Sequence, residues 1–224
     1  MNIYDIIGPI MIGPSSSHTA GAVKIGYIAR KLMAENIAEA GIYLYGSFLA
    51  TGKGHGTSKA LVAGLLGMKP DNDDIPSSFD IAKESGMQLI FGEAEIKDGH
   101  PNSVMLSLKG VSGKKLELIG ESLGGGRINI AQIDGLPTNF SGEHSTLVIR
   151  NHDEPGYISE VTAILANKSI NVAKMELHRE KRSGNAVMVL ECDHDIPKKY
   201  VERLERLEGI SKVICLNVKG GTSL

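Results

Sequence analysis

From Ser145 to Val218 the apolar residues change period in a fixed order, and few architectures accept that order. Ser145–Ile149 reads as a strand. Tyr157–Ala166 reads as a helix, with Ile158, Val161, Ile164 and Leu165 at helical spacing. Ala173, Met175 and Leu177 alternate with polar residues, as in a half-buried strand, and Ser183-Gly184 turns the chain into an antiparallel partner over Ala186–Leu190. A second helix follows over Ile196–Leu207, with Val201, Leu204 and Leu207 on one face, and Val213–Val218 closes the unit as a strand. The order βαββαβ predicts a ferredoxin-like split-βαβ sandwich, two helices on one face of a four-stranded sheet.

The chain is 224 residues long, enough for one or two domains. A turn-rich run from Gly135 through Leu136, Pro137, Thr138, Asn139, Phe140 and Ser141 to Gly142 marks the seam, dividing residues 1–142 from 143–224. Before it, Ser17 reads as an N-cap ahead of an apolar stripe of Ala22, Ile25, Gly26, Ala29, Leu32 and Met33. A strand at Ile42–Tyr45, a glycine-rich loop reaching Thr57 and a helix over Leu61–Leu66 come next. Short strands follow at Gln88–Phe91, Val104–Leu108, Leu116–Ser122 and Ile128–Ile133. The fold class is α/β of the α+β type: a mixed helix-and-sheet domain followed by the βαββαβ unit.

Charge and composition exclude several functions. Residues 143–224 carry twelve charges of each sign, so the whole net charge of −2 falls on the first 142 residues. No segment is basic enough to follow a phosphate backbone, and the chain lacks Trp, which argues against nucleic-acid binding. The apolar stretch from Ile6 to Ile12 is broken by Gly8-Pro9 and preceded by Asp5, which fits neither a spanning helix nor a signal peptide. No membrane role is expected. Two cysteines, Cys192 and Cys215, make no disulfide framework, and a cytoplasmic address is the default. They are also too few to hold an iron–sulfur cluster in the usual way, and no HExxH, HxxxH or paired-Cys spacing suggests another metal site.

Two segments carry the chemistry. Gly13-Pro14-Ser15-Ser16-Ser17-His18-Thr19 runs into the first helix, whose unpaired N–H groups and positive dipole end suit a carboxylate or phosphate. The same dipole disfavours protonation of His18, so a neutral imidazole base is expected there. The plainer alternative is one capping serine among solvated neighbours. Thr51-Gly52-Lys53-Gly54-His55-Gly56-Thr57 allows close backbone approach to a ligand. A P-loop reading fails: five residues rather than four separate Gly46 from Gly52-Lys53, and Gly54 stands where Ser or Thr should bind magnesium. The alternative here is a flexible strand-to-helix loop with Thr57 as cap. His100-Pro101-Asn102-Ser103 reads as a turn before a strand, and Glu121-Ser122-Leu123-Gly124-Gly125-Gly126 as a hairpin or bulge. Asn151-His152-Asp153-Glu154-Pro155-Gly156 exposes N–H groups at a helix entry, a place for the polar end of a small ligand or simply a capped turn.

In order and spacing, Gly13–Thr19, Tyr45-Gly46-Ser47-Phe48 with Gly52–Thr57, His100–Ser103 and Ser122–Gly126 resemble the β chain of the iron–sulfur-dependent L-serine dehydratases. The part from residue 143 on is similar to an ACT domain, including its Asp-x-Pro-Gly turn at Asp153–Gly156. One departure is Ser58, where the resemblance leads one to expect an acidic residue. The resemblance implies an enzyme of two chains, in which the α chain ligates a [4Fe–4S] cluster and L-serine becomes pyruvate and ammonia. It implies His55 and His18 as catalytic residues, with His55 favoured as base because its loop can reach a partner. Ser15, Ser16, Ser17, Thr19, Lys53, Gly54, Gly56, Thr57 and Asn102 would bind substrate, and Asn151, Asp153, Pro155 and Gly156 an effector. Lys53 is the only lysine in a glycine-rich loop that a pyridoxal Schiff base would need, and that option is set aside. The first 142 residues also resemble the allosteric substrate-binding domain of some phosphoglycerate dehydrogenases. A purely regulatory, serine-sensing subunit is therefore the second reading, and a free-standing ACT sensor the third. Self-association is expected from the exposed sheet edge or helix face of the ACT domain.

Overall fold

The computed structural model describes residues 10–179 and 181–218, so the expectations resting on Asp5, Gly8 and Pro9 lie outside the described residues. The chain divides into two compact units between Gly135 and Leu136.

The first unit is a layered α+β fold. Its helix α1 (Ala22–Met33) buries the whole expected stripe, Ala22, Ile25, Gly26, Ala29, Leu32 and Met33. Strand β1 (Ile37–Tyr45) begins five residues earlier than its apolar core Ile42–Tyr45 suggests, because Ile37 and Ala40 are buried as well. Then come α2 (Gly46–His55), α3 (Thr57–Leu65), α4 (Ser78–Glu84), β2 (Gln88–Glu93), β3 (Asn102–Gly110), β4 (Lys115–Gly124) and β5 (Arg127–Ile133). The strands lie in the order β2-β1-β3-β4-β5. Only the β1–β2 pair is parallel, and α2, α3 and α4 form the crossover such a pair needs. Ile42, Val104, Leu106, Leu118 and Ile130 are buried from alternating strand positions, while Ser107 and Lys109 are exposed between them. The β4–β5 connection is both a hairpin and a bulge, the register shifting between Ser122 and Gly124.

Two glycines let α1 and α3 touch backbone to backbone. A Cβ on Gly26 would stand 2.3 Å from Leu61 O, and one on Gly64 2.1 Å from Val23 O. Neither neighbour is a movable side chain. Gly64→Ala is therefore expected to destabilise the chain by on the order of 1–3 kcal/mol, read as a lower midpoint in chemical denaturation with an unchanged slope.

The glycine-rich stretch is not a loop. Residues 46–55 form a helix, α2, despite Gly52 and Gly54, because Phe48 is fully buried and Gly52 packs against Thr57. Gly56, at φ 69°, is the left-handed residue that ends α2 and lets α3 start at once. Thr57 is thus not a hydrogen-bonding cap. It is the first residue of α3, fully buried, and its hydroxyl has no hydrogen-bond partner among the described residues. Ser17 is not the cap either: a π-helical turn over Ser16–Gly21 precedes α1, and Ser15 caps it.

The second unit opens with β6 (Leu136–Phe140), a strand where turn residues suggest a connection. Its burial alternates, with Leu136, Thr138 and Phe140 inside, and the actual turn is Asp134-Gly135, both at positive φ. Then follow β7 (Ser145–His152), α5 (Tyr157–Ala166), β8 (Val172–Arg179), β9 (Asn185–Cys192), α6 (Lys198–Glu205) and β10 (Ile210–Leu216). The antiparallel order β10-β7-β9-β8 is the split-βαβ sheet. Leu147, Ile149, Val161, Ile164, Leu165, Met188, Leu190 and Leu204 form its core. The inward alternation expected on β8 is not realised as burial: Ala173, Met175 and Leu177 are all exposed, while Val172, Glu176 and His178 are half-buried. Register sets Met175 beside Leu190 and Leu177 beside Met188, yet β8 is an edge strand, and the two remain 39% and 41% exposed. Ile158, at 43%, is also exposed despite its helical spacing. Burial pushes the Cys192 thiol up to about 11 and the Cys215 thiol to about 12, which makes both poor nucleophiles and poor ligands.

Candidate active site

His18 and His55 come together at the junction of the π-helical turn and α2. Ser15, in extended backbone, accepts the His18 N–H through its hydroxyl at 3.1 Å, and Ser15 O accepts from Thr19 N at 2.9 Å and Ala20 N at 3.3 Å. Ser122 on β4 fastens the turn by donating to Ser17 O at 2.9 Å. On α2, Ser47, Thr51 and His55 recur every four residues and share one face.

The His18 ring lies against that face. Its Nε2 is 3.0 Å from Thr51 Oγ1, 3.3 Å from Ser47 Oγ and 3.4 Å from Ser47 O. The Thr51 hydroxyl donates to Ser47 O at 2.9 Å, so the network assigns the proton to His18 Nε2 and leaves Nδ1 bare. Phe48 meets the same ring edge-on, with centroids 5.2 Å apart. The His55 ring is 5.0 Å away. Its Nδ1 donates to Thr51 O at 3.0 Å, which makes Nε2 the acceptor nitrogen of an exposed side chain, with no hydrogen bond among the described residues. Burial holds the His18 pKa below its ordinary value. The Ser47 carbonyl opposes that shift, and the neighbouring His55 adds to it. Two imidazoles 5.0 Å apart, each with one ring nitrogen held by a hydrogen bond, can accept and relay protons through the other.

Not every residue of the expected site joins this cluster. Ser15 is engaged in capping, and Thr19 is buried with its hydroxyl 3.4 Å from His55 O. Among the described residues no hydrogen bond engages the Ser16 or Ser17 hydroxyls or N–H groups, which leaves four donors at the helix entry. Asn102 lies at the start of β3, donating to Ser122 O at 3.4 Å, while Pro101 O accepts from Ser47 N at 2.6 Å; the turn thus braces both halves of the site. Gly54 faces open space, Gly56 forms the bend and Thr57 is sealed in the core. Lys53 is set apart: it and Leu49 line a cavity on the other side of α2. Ser47 and Thr51 are the residues that reading the sequence misses. Their spacing of four with His55 is visible only once residues 46–55 are seen as a helix.

In the second unit, Asp153 Oδ2 accepts from Arg179 Nη1 at 3.3 Å and Ser183 N at 3.2 Å, holding the loop to the β8–β9 hairpin. Pro155 is exposed, and Gly156, at φ 111°, precedes α5. Asn151 is buried. Its amide donates to His152 O, and its Oδ1 has no hydrogen-bond partner among the described residues. Among the described residues no three His, Cys, Asp or Glu side chains gather as a metal site, and no helix is long and apolar enough to cross a membrane. The residues of this chain do not fit an iron–sulfur cluster as ligands.

Comparison with known proteins adds to this geometry. Residues 2–85 match the family described as serine dehydratase beta chain, and residues 145–209 match the ACT domain. The sequence is 39% identical to the L-serine dehydratase, beta chain, of Peptoniphilus asaccharolyticus over 191 residues, covering 85% of this chain and 86% of that one. It is 38% identical over 212 residues to the probable L-serine dehydratase, beta chain, of Bacillus subtilis (strain 168), covering 95% and 96%. A shorter likeness, 30% over 105 residues, joins it to the D-3-phosphoglycerate dehydrogenase of Methanocaldococcus jannaschii, covering 47% of this chain and 20% of that one.

Proposed function

The chain belongs to the L-serine dehydratase β-chain family, and from that premise we propose that it supplies the proton-transfer half of an active site completed by an α chain. The reaction is elimination of water from L-serine to give pyruvate and ammonia. The observation that carries the reading is the His18–His55 pair, with ring centroids 5.0 Å apart and His55 Nδ1 held by Thr51 O.

The substrate carboxylate is held by the Ser16 and Ser17 N–H groups and hydroxyls at the positive end of the helix. Nε2 of His55 takes the α-proton, and the C–O bond breaks as the hydroxyl departs. The aminoacrylate so formed hydrolyses to pyruvate and ammonia. His18 positions His55 through Thr51, which it contacts by Nε2 and whose carbonyl holds His55 Nδ1. The [4Fe–4S] cluster, and with it activation of the leaving hydroxyl, belongs in this reading to the α chain.

The second unit acts as an amino-acid-responsive ACT module. Asn151 Oδ1, buried and without a hydrogen-bond partner among the described residues, supports a role for the Asn151–Gly156 loop in receiving a polar ligand group. Self-association proceeds through the edge of β8, where Met175 and Leu177 are exposed. A cytoplasmic address goes with this reading. The test is anaerobic assay of pyruvate from L-serine with this chain, the α chain, and both together. Activity only in the mixture supports the proposal; equal activity of the α chain alone overturns it.

A further inference from the structure

A cavity of about 430 Å³ opens on the other side of α2 from the histidines. Its size falls within the range of small-molecule sites. Leu49, Phe79 and Phe91 supply apolar walls, and Leu49 and Phe91 remain 40% and 47% exposed. The Phe79 and Phe91 rings lie 5.7 Å apart at 54°, leaving an aromatic wall with an open face.

Two cations border this apolar surface. Lys53 and Lys59 both line the cavity, and Lys59 Nζ stands 5.9 Å from the Phe79 ring centre. No carboxylate is among the lining residues, and neither lysine forms an ion pair among the described residues. Ser58, also in the lining, offers a hydroxyl and no charge. An apolar slot beside two unneutralised ammonium groups selects for a ligand with a flat apolar body and one anionic end. A neutral ligand would leave the cations unanswered, and a small inorganic anion would leave the rings uncovered.

We propose that this cavity is a binding site for a small aromatic or aliphatic carboxylate, separate from the histidine site and independent of the reaction assigned to it. The test is fluorine NMR titration of the full chain with 4-fluorobenzoate and with its neutral isostere 4-fluorobenzamide. Saturable binding of the acid, roughly tenfold tighter than the amide, is expected from a charge-assisted contact. Lys59→Gln should weaken acid binding about tenfold and leave amide binding unchanged. Ser58→Glu, which adds a carboxylate to the lining, should abolish acid binding. Equal affinity for acid and amide, acid binding indifferent to Ser58→Glu, or no saturable binding to the wild-type chain would each overturn the proposal. The comparison of acid with amide needs no variant, so it stands even where a substitution disturbs folding.

Discussion

Replacing His55 with alanine is expected to lower saturated pyruvate formation by the assembled complex by roughly 10²–10⁴-fold, with little change in KM for L-serine. The expectation follows from where the ring's two nitrogens stand. Nδ1 is held by Thr51 O at 3.0 Å, so Nε2 is the ring's acceptor nitrogen, and among the described residues it has no hydrogen bond. A base in that state acts in the transition state and adds little to ground-state binding, which is why kcat falls and KM does not. A variant with normal kcat and a raised KM would place His55 in substrate binding instead. Activity assays across serine concentrations separate the two.

The second large effect belongs to His18. His18→Gln should reduce turnover by roughly 10²-fold, at the lower end of the general acid–base range, because the ring positions the base without taking the α-proton itself. Its pH behaviour has a definite sign. Burial lowers its pKa in the folded chain, so between that value and the unfolded value of about 6.5 the unfolded state binds more protons. Stability is therefore retained above about 6.5 and lost as pH falls through the folded pKa, and His18→Gln should remove that part of the acid dependence. Titration of the His18 ring by proton NMR should give a midpoint below about 6.5. A midpoint above it would mean that the imidazole is charged near neutrality and unsuited to stand 5.0 Å from a working base.

The second unit was legible because each element has a clean period. Val161, Ile164 and Leu165 mark α5, and alternation marks the strands. Periodicity says which face of a strand is apolar, not whether anything covers it. Register sets Met175 and Leu177 beside the core residues Leu190 and Met188, yet both stay exposed on the edge strand. In the first unit the α1 stripe was equally plain. What local reading missed was α2. Gly52 and Gly54 lower helix propensity by about 1 kcal/mol each, and tertiary contacts override them: Phe48 is buried, and Gly52 fits where a Cβ would crowd Thr57 at 3.1 Å.

Reading residues 46–55 as a loop also obscured the site's logic. A loop makes Lys53 and His55 near neighbours, whereas the helix turns them to different sides and aligns Ser47, Thr51 and His55 instead. The histidines themselves were visible from residue type and glycine context. Their separation of 37 positions in sequence concealed that they meet. The capping role of Ser15 was hidden for a related reason, since a π-helical turn moves the cap two residues ahead of the position that an α-helical count gives to Ser17.

The most direct test of the central claim is the saturated turnover of the complex reconstituted anaerobically with the α chain and the His18→Ala/His55→Ala double variant. Assembly is monitored in the same samples by size-exclusion chromatography. An assembled complex that has lost nearly all pyruvate formation at saturating L-serine is the predicted result. Wild-type turnover at saturation, with only the serine response shifted, would contradict it and make this chain a regulatory, serine-sensing subunit.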